Sequence, residues 1–230
     1  HIFDTKVAQS STEKFGDFTL LTMTPSAQKG WKYMAKRSID ITLGSILIMA
    51  TSPLMIIAAI AIKLTSRRPL LFIQNRMGYN KRIFNLFKFR TMIVDAEKLQ
   101  GEFEDLNEMD GPVFKIKNDP RVFPVGRWLR KWSIDELPQL FNVIKGDMSL
   151  VGPRPLPVRD YNGFRKDWQR RRFSVLPGIT CTWQINGRNL VSFEDWMKMD
   201  MEYIDNWKLS LDLKILFKTI PAVINGKGAE

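Results

Sequence analysis

Residues 36–68 read KRSIDITLGSILIMATSPLMIIAAIAIKLTSRR. Within them, the 22 residues from Ile41 to Ile62 carry no charge and are mostly apolar, and Ser52-Pro53 stands near their middle. A helix needs about 20 apolar residues to cross a hydrocarbon core about 30 Å thick. At roughly 1.5 Å per residue, each half reaches only about halfway. Proline has no N–H to donate to the preceding turn and disfavours helical geometry in the residue before it. The Ser52 hydroxyl can bond the carbonyls so released. From the run alone two forms stay open: a spanning helix with a proline kink, which membranes tolerate, and a re-entrant helix-break-helix that dips into one leaflet and returns. Lys36 and Arg37 precede the run and Lys63, Arg67 and Arg68 follow it. Cytoplasmic flanks carry the excess of Lys and Arg, so bases at both ends favour the re-entrant form, with its break at Ser52 and Pro53. Core helices seldom stay uncharged for so long, and the run starts too far into the chain for a signal peptide.

Outside this run no stretch approaches the length of a membrane span, so most of the 230 residues must be soluble or lie on the membrane surface. That is one domain of ordinary size with appendages. The balance of 35 Lys+Arg against 24 Asp+Glu, formally +11, favours anionic partners: nucleic acid, lipid headgroups or phosphorylated substrates. Cys181 is the one cysteine and His1 the one histidine. Disulfide frameworks, zinc clusters and His-based triads are therefore out of reach, and a general base must be a carboxylate, lysine or tyrosine. Cys181 reads as a structural thiol, with no internal histidine to activate it.

The expected fold is α+β, mostly helical, in three parts: a tail of a preceding domain or linker over 1–30, the membrane-inserted segment over 31–69, and a cytoplasmic or interfacial catalytic domain over 70–230. Phe15–Met23 has the pattern of a strand. Leu70–Gln74 and Ile83–Phe89, separated by Gly78 and Asn80, predict a β-hairpin. Asp95–Glu108 has helical spacing and ends at Asp110-Gly-Pro112. Val125–Ile144 is helical with an interruption at Trp132-Ser133. Gly146–Pro157 reads as a loop, Asp160–Val175 as a strongly basic helix, the segment from Pro177-Gly178 to Asn189 as a loop, and Phe193–Trp207 and Leu211–Val223 as closing helices. Several helices carry Lys, Arg and Trp beside an apolar stripe, which suits packing on a core or lying at the headgroup level.

The candidate reactive centre is Ser133-Ile-Asp135-Glu136-Leu-Pro-Gln139. As a local pattern it is a capping box, with an acidic first turn that complements the helix dipole. Its neighbours suggest more. Arg127, Arg130 and Lys131 stand just before it and Gly146-Asp-Met-Ser-Leu-Val-Gly-Pro-Arg154-Pro just after. Guanidinium groups gathered around a helix start make a phosphate site. Adjacent carboxylates point about 100° apart in a helix and invite separate roles. One could attack phosphorus to give an acyl phosphate; the other could move a proton or position Mg²⁺, which takes one or two carboxylates plus phosphate oxygens.

Eight motifs occur in order: Lys36-Arg-Ser-Ile-Asp40, the Pro-broken run, Phe72-Ile-Gln-Asn-Arg-Met-Gly78, Lys88-Phe-Arg-Thr-Met92, Ser133-Ile-Asp-Glu-Leu-Pro-Gln139, Gly146–Pro155, Pro177-Gly-Ile-Thr180 and Gly187-Arg-Asn189. Together they resemble the bacterial sugar transferases, monotopic polyprenyl-phosphate phosphoglycosyl transferases that initiate exopolysaccharide, capsule or O-antigen assembly. The match covers roughly residues 34–225, and the N-terminal segment resembles the end of the extra domain of larger members. The resemblance implies transfer of a sugar 1-phosphate from a UDP-sugar to undecaprenyl phosphate, with release of UMP, at the cytoplasmic face of the bacterial inner membrane. It implies Asp135 as the nucleophile and Mg²⁺ ligand and Glu136 as its dyad partner. Lys88, Arg130, Arg154 and Arg188 become candidates for phosphate or nucleotide contacts, against the plainer account of solvated bases. Membrane phospholipid is a further expected partner, nucleic acid is not, and a homodimer is the default symmetric assembly. Cys181 and Trp132 depart from residues common in similar sequences, away from the expected chemistry. The competing expectation is a basic peripheral membrane protein that binds anionic lipid or nucleic acid without catalysis, which leaves the Asp135-Glu136 site unexplained.

Overall fold

A computed structural model describes residues 8–15, 18–25, 30–66, 69–108, 111–114, 116, 118–164, 166–187 and 191–224. Strands β1 (Ala8–Phe15) and β2 (Phe18–Pro25) form an antiparallel hairpin within the expected N-terminal tail. Helix α1 (Trp31–Thr65) carries the apolar run. The predicted hairpin follows as β3 (Leu71–Met77) and β4 (Ile83–Phe89), paired antiparallel with Phe72 opposite Lys88 and Arg76 opposite Phe84. A 3₁₀ segment over Lys98–Leu106 stands where a helix was expected.

Helix α2 (Pro124–Lys131) ends before Trp132-Ser133, as its sequence predicts, and a 3₁₀ turn over Ile134–Glu136 leads into α3 (Gln139–Lys145). The two Gly- and Pro-rich stretches read as loops each contain a strand. Strands β5 (Ser149–Val151) and β6 (Gly178–Thr180) pair in parallel, and their backbones approach so closely that a Cβ on Gly178 would lie 2.1 Å from the Gly152 nitrogen. The expected basic helix over 160–175 is divided: α4 (Val158–Asn162) stops at Gly163, and a 3₁₀ segment takes Asp167–Ser174. Gly163 sits against Pro112, which a Cβ would approach to 2.4 Å. Helices α5 (Thr182–Ile185), α6 (Phe193–Asp205) and α7 (Leu209–Ile224) complete the chain, with the Ser192 hydroxyl capping α6 through the Asp195 amide. The fold is mostly helical with small sheets, as expected.

The main core joins Phe84 and Leu86 of β4, Val143 of α3, Val151 of β5, Tyr203 of α6 and Ile215 of α7. Helix α1 packs along this body at both ends. Near its start Lys36 donates to Asp212 (2.5 Å) and to the Val151 carbonyl (3.0 Å), and Arg37 donates to the Val143 and Ile144 carbonyls at the end of α3. Near its end Ala58 and Ile62 are buried with Phe89, Leu129 and Ile134. Asp40 and Ala58, like Gly44 and Ile62, are separated by 18 residues, five helical turns, so the buried positions share one face. Ile46, Met49, Ile56, Ile57, Ile60 and Leu64 are exposed elsewhere on the helix.

The expected helix-break-helix is one continuous helix through Pro53. A helical residue at position 53 would donate its N–H to the Met49 carbonyl, and proline cannot. The Ser52 hydroxyl does so instead, at 2.8 Å, which lets the helix pass the proline.

Candidate active site

The site is built on the interruption after α2. Ser133 adopts a left-handed backbone (φ 54°, ψ 24°), and its amide donates to the Arg130 carbonyl at 2.9 Å. Its side chain makes no capping bond, so the capping box that the sequence suggests is not formed. The chain passes into the 3₁₀ turn, where Ile134 is buried against Leu129 and Phe89 and the next two residues, Asp135 and Glu136, line the cleft.

Each basic residue arrives from a different element. The hairpin register places Gln74, Arg76 and Lys88 on one face, because directly opposed residues share a face and alternate residues repeat it. Arg154 follows β5, and its carbonyl accepts a hydrogen bond from Arg172 at 2.6 Å. Arg172 in turn stands 3.0 Å from the fully buried Asp200. Arg130 lies on α2, with its Nε donating to the Thr91 hydroxyl at 2.9 Å. Helix and strand end meet closely there, since a Cβ at Gly126 would lie 2.2 Å from the Thr91 carbonyl oxygen.

Glu136 Oε1 accepts from both Lys88 Nζ (2.8 Å) and Arg154 Nη2 (2.7 Å). Burial alone would raise its carboxyl, but Arg154 and Lys88 outweigh that and hold it well below the usual carboxylate range. Asp135 has no side-chain hydrogen bond among the described residues and is 8% exposed. Burial pushes its carboxyl up, against the pull of Lys88. Burial also lowers Lys88, and Glu136 works against that shift. Two adjacent carboxylates thus sit in opposed environments, the arrangement by which sites assign acid–base and nucleophilic roles.

Asp135, Glu136, Lys88, Arg130 and Arg154 all line one cleft of about 810 Å³. Arg188 lies outside the described residues, as does Asn189, and Ser52 and Pro53 sit on α1 away from the cleft. Sequence alone misses Arg76, whose guanidinium faces the same cleft and donates to the Pro155 carbonyl at 2.9 Å. Its signal was its register: it shares strand parity with Gln74 and stands in the Phe72–Gly78 motif. Sequence also misses the cleft wall formed by Trp183, Gln184 and Trp196. Cys181 is buried with its thiol pushed up to about 12, by burial and then by Asp200, as a structural thiol would be. Among the described residues no three metal-ligating side chains gather. Asp135 offers hard carboxylate oxygens to a cleft also lined by Lys88, Arg130 and Arg154, which fits Mg²⁺ completed by substrate oxygens and water.

A family described as bacterial sugar transferase matches residues 31–226. The chain belongs to the bacterial sugar transferase family. Among its relatives is the galactosyl transferase CpsE of Streptococcus agalactiae serotype III (strain NEM316), 41% identical over 230 residues, which cover 97% of this chain and 50% of that protein. The undecaprenyl-phosphate glucose phosphotransferase of Komagataeibacter xylinus is 41% identical over 227 residues, 94% of this chain and 41% of the relative. The exopolysaccharide production protein ExoY of Rhizobium meliloti (strain 1021) is 41% identical over 204 residues, 85% of this chain and 88% of its own. This sugar transferase chain therefore spans half or less of the first two relatives and most of the third.

Proposed function

We propose that this sugar transferase moves a sugar 1-phosphate from a UDP-sugar to undecaprenyl phosphate through a covalent phosphosugar on Asp135. The observation that carries the reading is the unequal pair: Glu136 is held ionised by Lys88 and Arg154, while its neighbour Asp135 faces the cleft without a hydrogen-bond partner among the described residues. Relatives named undecaprenyl-phosphate glucose phosphotransferase and undecaprenyl-phosphate galactose phosphotransferase support a sugar donor and the undecaprenyl phosphate acceptor. One relative is named for exopolysaccharide production, in keeping with a first membrane step of exopolysaccharide, capsule or O-antigen synthesis.

In the first step an Asp135 oxygen attacks the phosphorus that bears the sugar. The bond from that phosphorus to the oxygen of the UMP phosphate breaks, and UMP leaves with the electron pair. In the second, a phosphate oxygen of the polyprenyl acceptor attacks the same phosphorus and the Asp135–phosphorus bond breaks, restoring the carboxylate. Lys88, Arg130 and Arg154 stand where charge accumulates on the transferring group, the electrostatic term that dominates this chemistry. Bound Mg²⁺, held through Asp135, would add charge neutralisation on the phosphate oxygens.

The acceptor requires the site at a cytoplasmic membrane face, and α1, continuous through Pro53, supports a monotopic placement with both of its ends on that face. Both ends of the helix pack on the body that carries the site. Asp135→Asn is expected to abolish UMP release from UDP-sugar and polyprenyl phosphate, and labelled sugar phosphate should be trapped on the wild-type chain in a single turnover. Undiminished release by the variant would leave the non-catalytic lipid-binding account standing; absence of trapped label would point to direct transfer between the two substrates.

A further inference from the structure

Near Arg154 the cleft is lined by three side chains that each keep a buried polar atom without a hydrogen-bond partner. Trp183, Gln184 and Trp196 are 8%, 6% and 2% exposed and line the cleft. The indole N–H groups of both tryptophans and the Gln184 amide oxygen are buried without a hydrogen-bond partner. A buried polar group left unpaired is destabilising, and native structures leave few of them without a water, ligand or functional reason. The wall is rigid. The two indoles stack at 4.5 Å between centroids and 18° between planes, and Phe193 packs edge-on against Trp196 at 6.2 Å.

The chemistry of these atoms is neutral. Two N–H donors and one amide acceptor suit hydroxyl groups, each of which both donates and accepts; the trio carries no charge to recognise a phosphate. Its position is decided by Arg154. That guanidinium is 2.7 Å from Glu136 through Nη2 and 5.8 Å from the centre of the Trp183 ring. One side chain therefore bridges Glu136 and Trp183. In a nucleoside diphosphate sugar the hexose is joined directly to the phosphate that Asp135 would attack, whereas the base lies beyond a second phosphate and a ribose.

We infer that Trp183, Gln184 and Trp196 form the subsite that binds the hexose hydroxyls of the donor and sets its sugar preference, an assignment that rests on the proposed transfer reaction. A site that hydrogen-bonds a substrate hydroxyl strongly rejects an analogue that cannot meet it, because its own buried groups are then left unpaired. Selectivity among epimeric hexoses follows from the same atoms.

The test uses the full chain in membrane or detergent, with Gln184→Leu and Trp183→Phe as variants; the second removes the N–H with the smaller ring of the indole and keeps an aromatic ring against Trp196. Binding of UDP and of a panel of UDP-hexoses is measured by calorimetry, alongside UMP release with polyprenyl phosphate and the thermal midpoint of each variant. The wild-type chain should bind its preferred UDP-hexose more tightly than UDP. Each variant should lose about tenfold or more of affinity and kcat/KM for that sugar, narrow its margin over the epimers, and bind UDP as before. Equal weakening toward UDP and UDP-hexose would make the wall a nucleoside subsite and overturn the inference. Unchanged sugar preference in a folded Trp183→Phe chain would overturn it too. A wild-type chain that binds sugars selectively yet releases no UMP would instead sink the transfer reaction and leave the subsite standing.

Discussion

At the scale of single residues, Glu136 organises the site by serving two cations with one oxygen. Removing its charge strands both Lys88 and Arg154 in a largely buried place, where their side chains are 16% and 27% exposed. Removing Lys88 alone leaves Glu136 with Arg154. Breaking a buried pair by deleting one partner costs about 3 kcal/mol or more, so Glu136→Gln should lower stability by roughly that amount and Lys88→Met by clearly less. Chemical denaturation of both variants checks the order; equal losses would mean that the two cations are held by something other than Glu136. The carboxylate pair was legible in sequence because two adjacent acids stood amid Arg127, Arg130 and Arg154. Their division of labour was not, since it depends on Lys88 arriving from a strand 48 residues earlier. Arg76 and the Trp183 wall were hidden for the same reason: what marks them is proximity across elements, which no local pattern records.

At the scale of elements, the parts with strong periodicity were readable and the short buried ones were not. The β3–β4 hairpin, the interruption at Trp132-Ser133 and the two closing helices follow their patterns, because alternation and 3.6-residue spacing act locally. Strands β5 and β6 have three residues each and pair in parallel across a long connection. Glycine and proline there read as loop, whereas the glycines serve close backbone approach: a Cβ on Gly178 would fall 2.6 Å from the Gly152 oxygen as well as 2.1 Å from its nitrogen. This pairing fixes the turn that delivers Arg154, since the Gly178 amide donates to the Pro153 carbonyl at 3.0 Å. Gly178→Ala should therefore separate the strands, cost about 1–3 kcal/mol or more, and reduce UMP release by displacing Arg154. Thermal unfolding and a turnover assay of the same variant check this; retained stability and rate would show that the backbone yields without moving the arginine.

At the scale of the whole molecule, the question posed by residues 36–68 becomes one of which side each end of α1 occupies. The flanking bases that suggested a cytoplasmic location at both ends have other work at the N-terminal end. Lys36 is buried on Asp212, and Arg37 holds the last carbonyls of α3. The weight therefore moves from charge to packing. From Lys36 to Ile62 the helix would extend about 39 Å if straight, and both points touch the body that holds Asp135 and Glu136. A span that carried one end through a bilayer would have to take part of that body with it, although the domain beyond α1 has no second helix long and apolar enough among the described residues. With both ends on one side, the exposed apolar residues of α1 would face lipid while its buried face stays on the protein. Single cysteines at Lys32 and Lys63, both exposed positions at the two ends, report this directly. The native Cys181 does not compete, being buried with its thiol pushed up to about 12. In sealed inside-out vesicles an impermeant maleimide should label Lys32→Cys and Lys63→Cys alike, and in right-side-out vesicles neither. Labelling of the two positions from opposite sides would make α1 a kinked span, and would require the contacts of Lys36 or Ile62 with the body to open in the membrane.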